Sequence, residues 1–274
     1  GESLMKNFCI LIVWFCLFGL LTSCQSNSNY RNSSVVDYLY PNSKNQQVSS
    51  EIPRLTLPLR VGIAFTPSGF AGREGLHEVK KLELMTSMSE HFKTYDFVKS
   101  IEVIPSDYLR SQGSFDNLDQ LKRMFNIDVI ALISYDQTSY TDEGFASIAY
   151  WTIIGAYIIP AEKNATHTML DAVLYDIDSR KLLFRAPGRS SVESKSTLVG
   201  LEEQTREDAV NGFEQASVSL RDNLKLQLEF FKKKVKETPE EYQIVKSEGY
   251  SGGGSSHWFM FLLAGAIALF KFRK

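Results

Sequence analysis

The sequence predicts an α+β or α/β fold: one globular domain built as a mixed β-sheet packed by helices, with a long amphipathic helix near its C-terminal end. Three observations carry this. Strand-type and helix-type hydrophobic spacings alternate from Leu57 onward, a hairpin with turn residues at its tip follows, and a helical repeat closes the region.

Leu57 to Phe65 (LPLRVGIAF) reads as a buried strand after Pro58. Gly75 to Tyr95 places Leu76, Val79, Leu82, Met85, Met88 and Phe92 at helical spacing, and Val98 to Ile104 returns to strand, so the domain opens as a β-α-β unit. Phe115, Leu118, Leu121, Met124 and Phe125 define a second helix that Ser114 is placed to cap, followed by a strand over Val129 to Ser134. Ala146 to Ile159 and Thr168 to Asp176 then read as longer strands. Asp176-Ile177-Asp178-Ser179-Arg180-Lys181 supplies turn chemistry before Leu182 to Phe184 pairs back. From about Thr197 the chain becomes helical, with Phe213, Leu220, Leu224, Leu228, Phe231 and Val235 on one stripe. Its basic end, Lys232 to Lys236, suits a helix C-terminus or a membrane surface.

Both termini read as targeting signals. Lys6 precedes an apolar stretch from Phe8 to Leu21, which ends in Leu21-Thr22-Ser23-Cys24. An aliphatic residue, two small residues and a cysteine meet the needs of a bacterial lipobox, in which the bond between Ser23 and Cys24 is cut and the Cys24 thiol takes diacylglycerol; an ordinary signal peptide is the alternative. The other two cysteines, Cys9 and Cys16, lie inside the removed signal, leaving no thiol for a disulfide or a metal. The three acyl chains of a mature lipoprotein anchor it stably, since each buried methylene contributes about 0.8 kcal/mol. At the other end, Gly252-Gly253-Gly254-Ser255-Ser256 leads into Trp258 to Phe270 and then Lys271-Phe272-Arg273-Lys274. Thirteen apolar residues rise only about 20 Å as a helix, short of the roughly 30 Å hydrocarbon core, which favours a transient sorting helix over a permanent anchor.

The expected organisation is a signal peptide over 1–23, lipidated Cys24 with a tether to residue 54, a globular domain over 55–236, a linker with the Gly/Ser motif over 237–256, and a sorting helix with its basic tail over 257–274. Residues 25–50 hold 15 Ser, Asn or Gln, a composition that suits a flexible tether, with Tyr38-Leu39-Tyr40 placed to dock locally.

The two ends together resemble the rhombotarget lipoproteins, which carry a GlyGly-CTERM tail. That resemblance implies processing by rhombosortase, a rhomboid-type intramembrane serine protease, at Gly252, Gly253, Gly254, Ser255 and Ser256, with removal of the helix. A plain membrane anchor behind a glycine linker is the alternative. Glycine there has a physical use, because it lowers helix stability by up to about 1 kcal/mol relative to alanine and eases unwinding for the protease. Gln25 and Ser26 follow the cysteine without an aspartate, which by resemblance to Gram-negative lipoprotein sorting favours the outer membrane or cell surface. Within the domain, Leu59 to Phe65, Asn126 to Ile133, the Asp176 to Lys181 turn and the long helix resemble periplasmic lipoprotein domains, such as those of curli-secretion and penicillin-binding-protein-activator lipoproteins, which bind proteins.

Motifs for chemistry are sparse. His77, His91, His167 and His257 show no HExxH spacing, and no Gly-x-Ser-x-Gly elbow is present. Gly69 to Gly75 sits between a strand and a helix, but lacks both the dinucleotide spacing and the lysine of a P-loop. Asp136, Asp142, Glu143, Asp176 and Asp178 lack a calcium-loop pattern, and turn chemistry accounts for most of them. A net charge of −2 argues against a nucleic-acid partner, which normally requires a basic face. Phe145 to Pro160, apolar and closed by proline, reads as a buried strand or a partner-binding edge. These features point to a non-catalytic binding or scaffolding lipoprotein without cofactor or metal, with the membrane, the sorting protease, the lipoprotein-processing machinery and an envelope protein as partners. An oligomerising envelope assembly or secretion accessory and a hydrolase or nucleotide-binding enzyme are the alternatives.

Overall fold

The computed structural model describes residues 27–41, 51–67, 78–143, 162–197 and 200–250. Its elements run β1 (Asn27–Asn32), α1 (Val35–Leu39), β2 (Arg54–Leu57), β3 (Leu59–Phe65), α2 (Glu78–Phe92), β4 (Val98–Val103), a 3-10 turn (Ser106–Tyr108), α3 (Ser114–Phe125), β5 (Val129–Glu143), β6 (Glu162–Asp176), β7 (Lys181–Ser196), α4 (Leu201–Glu237) and β8 (Gln243–Lys246). The main sheet is ordered β4-β3-β5-β6-β7, with β1 also paired to β5. β3 is parallel to β4 and to β5, while β6 and β7, joined by a short turn, run antiparallel. The sheet is therefore mixed and packed by helices, the predicted α+β class.

The chain forms two compact units. The larger takes the described residues within Arg31–Asp136, Met169–Ser190 and Phe213–Lys274, and the smaller those within Gly1–Tyr30, Gln137–Thr168 and Ser191–Gly212.

In the larger unit, strand alternation builds two apolar faces. Ile63, Phe65, Ala131, Ile133, Leu170 and Ala172 pack with Met85 and Met88 of α2 and with Phe213, Ala216 and Leu220 of α4. Ala64, Ile130, Leu132, Val173 and Tyr175 point the other way, toward Tyr38 and Leu39 of α1 and Leu118 and Leu121 of α3. Helix α4 reaches the sheet closely because β7 carries Gly188, where a β-carbon would lie 2.3 Å from the Ala216 carbonyl oxygen. Beside this gap Asn223 Nδ2 donates to the Pro187 carbonyl at 2.6 Å, which fixes the helix along the strand.

The smaller unit buries polar side chains instead. Gln137 Nε2 donates to Thr168 Oγ1 at 2.8 Å and to the Ala209 carbonyl at 3.0 Å. Ser139 and Thr166 hydroxyls meet at 3.0 Å, and Asn164 Nδ2 donates to Ser196 Oγ at 2.9 Å. Buried Asp208 accepts from Ser194 and Gln204. These bonds offset much of the cost of placing polar atoms out of water.

Several expectations are corrected. Residues expected in the N-terminal tether form β1 and α1, and Val35, Tyr38 and Leu39 are buried, because three apolar side chains are enough to seat one helical turn on α3. Leu57–Phe65 divides at Pro58 into β2 and β3, which belong to different sheets. The linker expected after residue 236 supplies β8, which pairs in parallel with β2 from Arg54↔Gln243 to Leu57↔Lys246. β5, β6 and β7 extend beyond their apolar runs; in the last, the apolar Leu182–Phe184 is only the start of a strand that reaches Ser196. Val79 and Met124, expected on buried faces, are exposed, whereas Leu84 is buried. Helix α3 begins at Ser114 itself, preceded by Gly113, although Ser114 Oγ does accept from the Asp116 amide at 3.3 Å. The strand expected over Ala146 to Ile159 lies outside the described residues.

Candidate functional site

In the larger unit an apolar cavity of about 330 Å³ lies on the sheet face covered by α2 and α4. Its floor is the alternate side chains of the main sheet, with Val61 and Ile63 on β3, Ile101 on β4, Ala131 on β5 and Leu174 on β6. The helices close it with Met88 and Phe92 on one side and Leu224, Leu228, Phe231 and Val235 on the other. Leu55, Leu57 and Ile244, from the small β2–β8 sheet, complete the wall.

Period-two and period-3.6 patterns together explain the lining. Ala131 is the smallest apolar side chain in the lining. Aromatic contacts brace the rim: the Phe184 and Phe231 rings lie 5.3 Å apart, and Phe231 meets Tyr242 edge-on at 5.4 Å. Ser89 is the one neutral polar residue of the lining, and its hydroxyl is spent on the Ile101 carbonyl at 3.4 Å. The charged residues of the lining are Lys232 and Lys236, both on α4. The lining holds no His, Cys, Asp or Glu. Such a wall offers water no hydrogen bonds and an apolar group many dispersion contacts, which suits holding the latter.

The residues singled out for chemistry do not converge here. Asp176 accepts from the Ser179 amide at 3.0 Å and from its hydroxyl, so it closes the β6–β7 turn as its turn chemistry predicts; burial raises its carboxyl above the usual range against those two bonds. Asp178 pairs with Lys122 instead. Asp136 has a buried Oδ1 without a hydrogen-bond partner, and burial raises its carboxyl too. No group of three His, Cys, Asp or Glu among the described residues is arranged to hold a metal. His91 is half-buried and His167 exposed, with Phe92 and Tyr140 as their ring neighbours. Ser23, Cys24, Gly69 to Gly75, His77, Phe145 to Pro160, Gly252, Gly253, Gly254, Ser255, Ser256 and His257 lie outside the described residues, as does the apolar run from Trp258. Among the described residues no helix is long and apolar enough to cross a membrane.

Sequence reasoning missed the cavity. Its one visible signal was the row Leu224, Leu228, Lys232 and Lys236, spaced by four and hence along one line of α4. It also missed Asn117, whose buried carbonyl accepts from Tyr38 Oη at 2.8 Å and from the Arg110 amide at 2.9 Å, tying α1 and the 3-10 turn to α3.

No protein-family model matches the chain, and no curated protein does. Two solved structures bear a distant likeness. One is a neuraminyllactose-binding hemagglutinin homolog from Helicobacter pylori, at 11% identity and a TM-score of 0.34, covering 73% of this chain and 97% of that one. The other is lipoprotein GNA1162 from Neisseria meningitidis, at 14% identity and a TM-score of 0.21, covering 59% of this chain and 96% of that one. At these scores neither carries an argument about this chain.

Proposed function

We propose that this chain is an exported bacterial lipoprotein, held at the outer membrane or cell surface by lipid on Cys24 and trimmed within Gly252 to Ser256, whose domain binds an apolar group rather than catalysing a reaction. The terminal motifs support the processing. The cavity carries the binding reading: about 330 Å³ of apolar-lined space falls at the lower end of ligand pockets, roughly 300–1,000 Å³. A lining with no His, Cys, Asp or Glu, whose one hydroxyl is bonded to the Ile101 carbonyl, suits holding a molecule better than activating it.

The test is titration of the full chain with an uncharged apolar fluorophore, comparing wild type with Leu228→Trp, which fills the cavity from α4. Wild type is expected to show a saturable component that the variant lacks while keeping the same circular dichroism spectrum. Equal saturable binding by a folded Leu228→Trp protein contradicts the binding reading.

A further inference from the structure

We infer that the cavity takes a single acyl chain with an anionic head, a fatty carboxylate or a lysophosphatide, with the tail against the sheet and the head on Lys232 and Lys236. This rests on the cavity being the binding site, and adds to it the class of ligand.

The inference follows from where charge enters the lining. Along α4 the row Leu224, Leu228, Lys232, Lys236 passes from apolar to cationic within three turns, and all four residues line the same space. A purely apolar ligand gives the two ammonium groups nothing to do, whereas an amphiphile matches both ends of the row. The helix C-terminus favours Lys234 and Lys236 alike, but the neighbours are also paired, Lys233 with Glu237 at 3.7 Å and Lys234 with Glu241 at 3.1 Å. Lys236 has no acidic partner among the described residues. Lys232 holds Glu229 at 2.8 Å with both side chains substantially exposed, a pairing worth only about 0–1 kcal/mol and easily exchanged for an anionic head. Lys232 Nζ also sits 5.7 Å from the Phe97 ring centroid, and Phe97 lines the cavity, so the ammonium lies beside the space and does not swing free in solvent.

The test uses the full chain in nanodiscs, with photoactivatable palmitate, lysophosphatidate of the same tail, and hexadecanol as the neutral control. Cross-linked peptides are mapped by mass spectrometry. The expected result is labelling of peptides containing Phe97, Leu228 or Phe231 by one or both anionic probes, with the preferred probe naming the source. Lys232→Glu with Lys236→Glu, a surface change that leaves the core intact, is expected to lower anionic labelling about tenfold while sparing hexadecanol. Equal labelling by hexadecanol, or anionic labelling indifferent to the double reversal, overturns the head-group assignment and leaves the apolar site standing. Labelling of these peptides by none of the three probes overturns both the ligand class and the site.

Discussion

At Gly188 a β-carbon would meet backbone atoms of α4, with the Ala216 oxygen at 2.3 Å and the Leu220 nitrogen at 2.6 Å. Backbone cannot rotate aside, so Gly188→Ala is expected to cost about 1–3 kcal/mol or more in urea unfolding. Gly62→Ala meets only the Cδ1 atoms of Ile127 at 2.5 Å and Ile104 at 3.0 Å, the ends of side chains that can turn away, and is expected to cost less than Gly188→Ala in the same experiment. At Asp136 burial raises the folded carboxyl above its unfolded value near 3.9. The folded state therefore holds the proton more tightly, and stability falls as pH rises from the unfolded value through the raised one. Asp136→Asn removes this dependence. Its melting temperature relative to wild type is expected to increase between pH 4 and pH 7, and a constant difference across that range would contradict the burial cost. The sequence did not mark Gly62 or Gly188 and weighed Asp136 only among carboxylates for a metal, because a close approach or an orphaned oxygen depends on what another segment brings, not on local pattern.

Among the elements, those with strong periodicity were legible: β3, α2, α3, the β6–β7 turn and α4 stand where their spacing places them. The turn was legible because Asp176 and Ser179 close it locally. Of the N-terminal elements only the docking of Tyr38-Leu39-Tyr40 was legible; β1 and the helical turn were not, because polar composition outweighed Val35, Tyr38 and Leu39, whose partners lie far along the chain. Leu39→Ala is expected to cost about 2–5 kcal/mol, the range for a buried leucine, and a loss below about 0.5 kcal/mol would show that this segment is the tether its composition suggests. The β2–β8 pair was hidden for the same reason. Four residues with one buried aromatic before them, Tyr242, make a strand only beside β2. Tyr242→Ala removes the ring that braces Phe231, and is expected to weaken binding of an apolar probe more than it lowers the melting temperature of the main sheet. Equal binding by the variant would place the cavity's support elsewhere.

For the whole molecule, the α+β class was legible from alternating patterns, while the cavity required knowing that α2, α4 and the β2–β8 pair meet over one sheet face. The proposed function rests on two kinds of observation that do not overlap: terminal motifs that resemble lipoprotein and sorting signals, and an apolar cavity with Lys232 and Lys236 in its lining. The two proposals agree with each other, since a lipid anchor on Cys24 would hold the cavity where acyl chains are present. The most direct measurement of the central claim is the intact mass of the mature chain from its native host, with analysis of the attached lipid. The expected mass begins at an acylated Cys24 and ends within Gly252 to Ser256; a chain with unmodified Cys24 that still carries Phe272 would contradict the assignment.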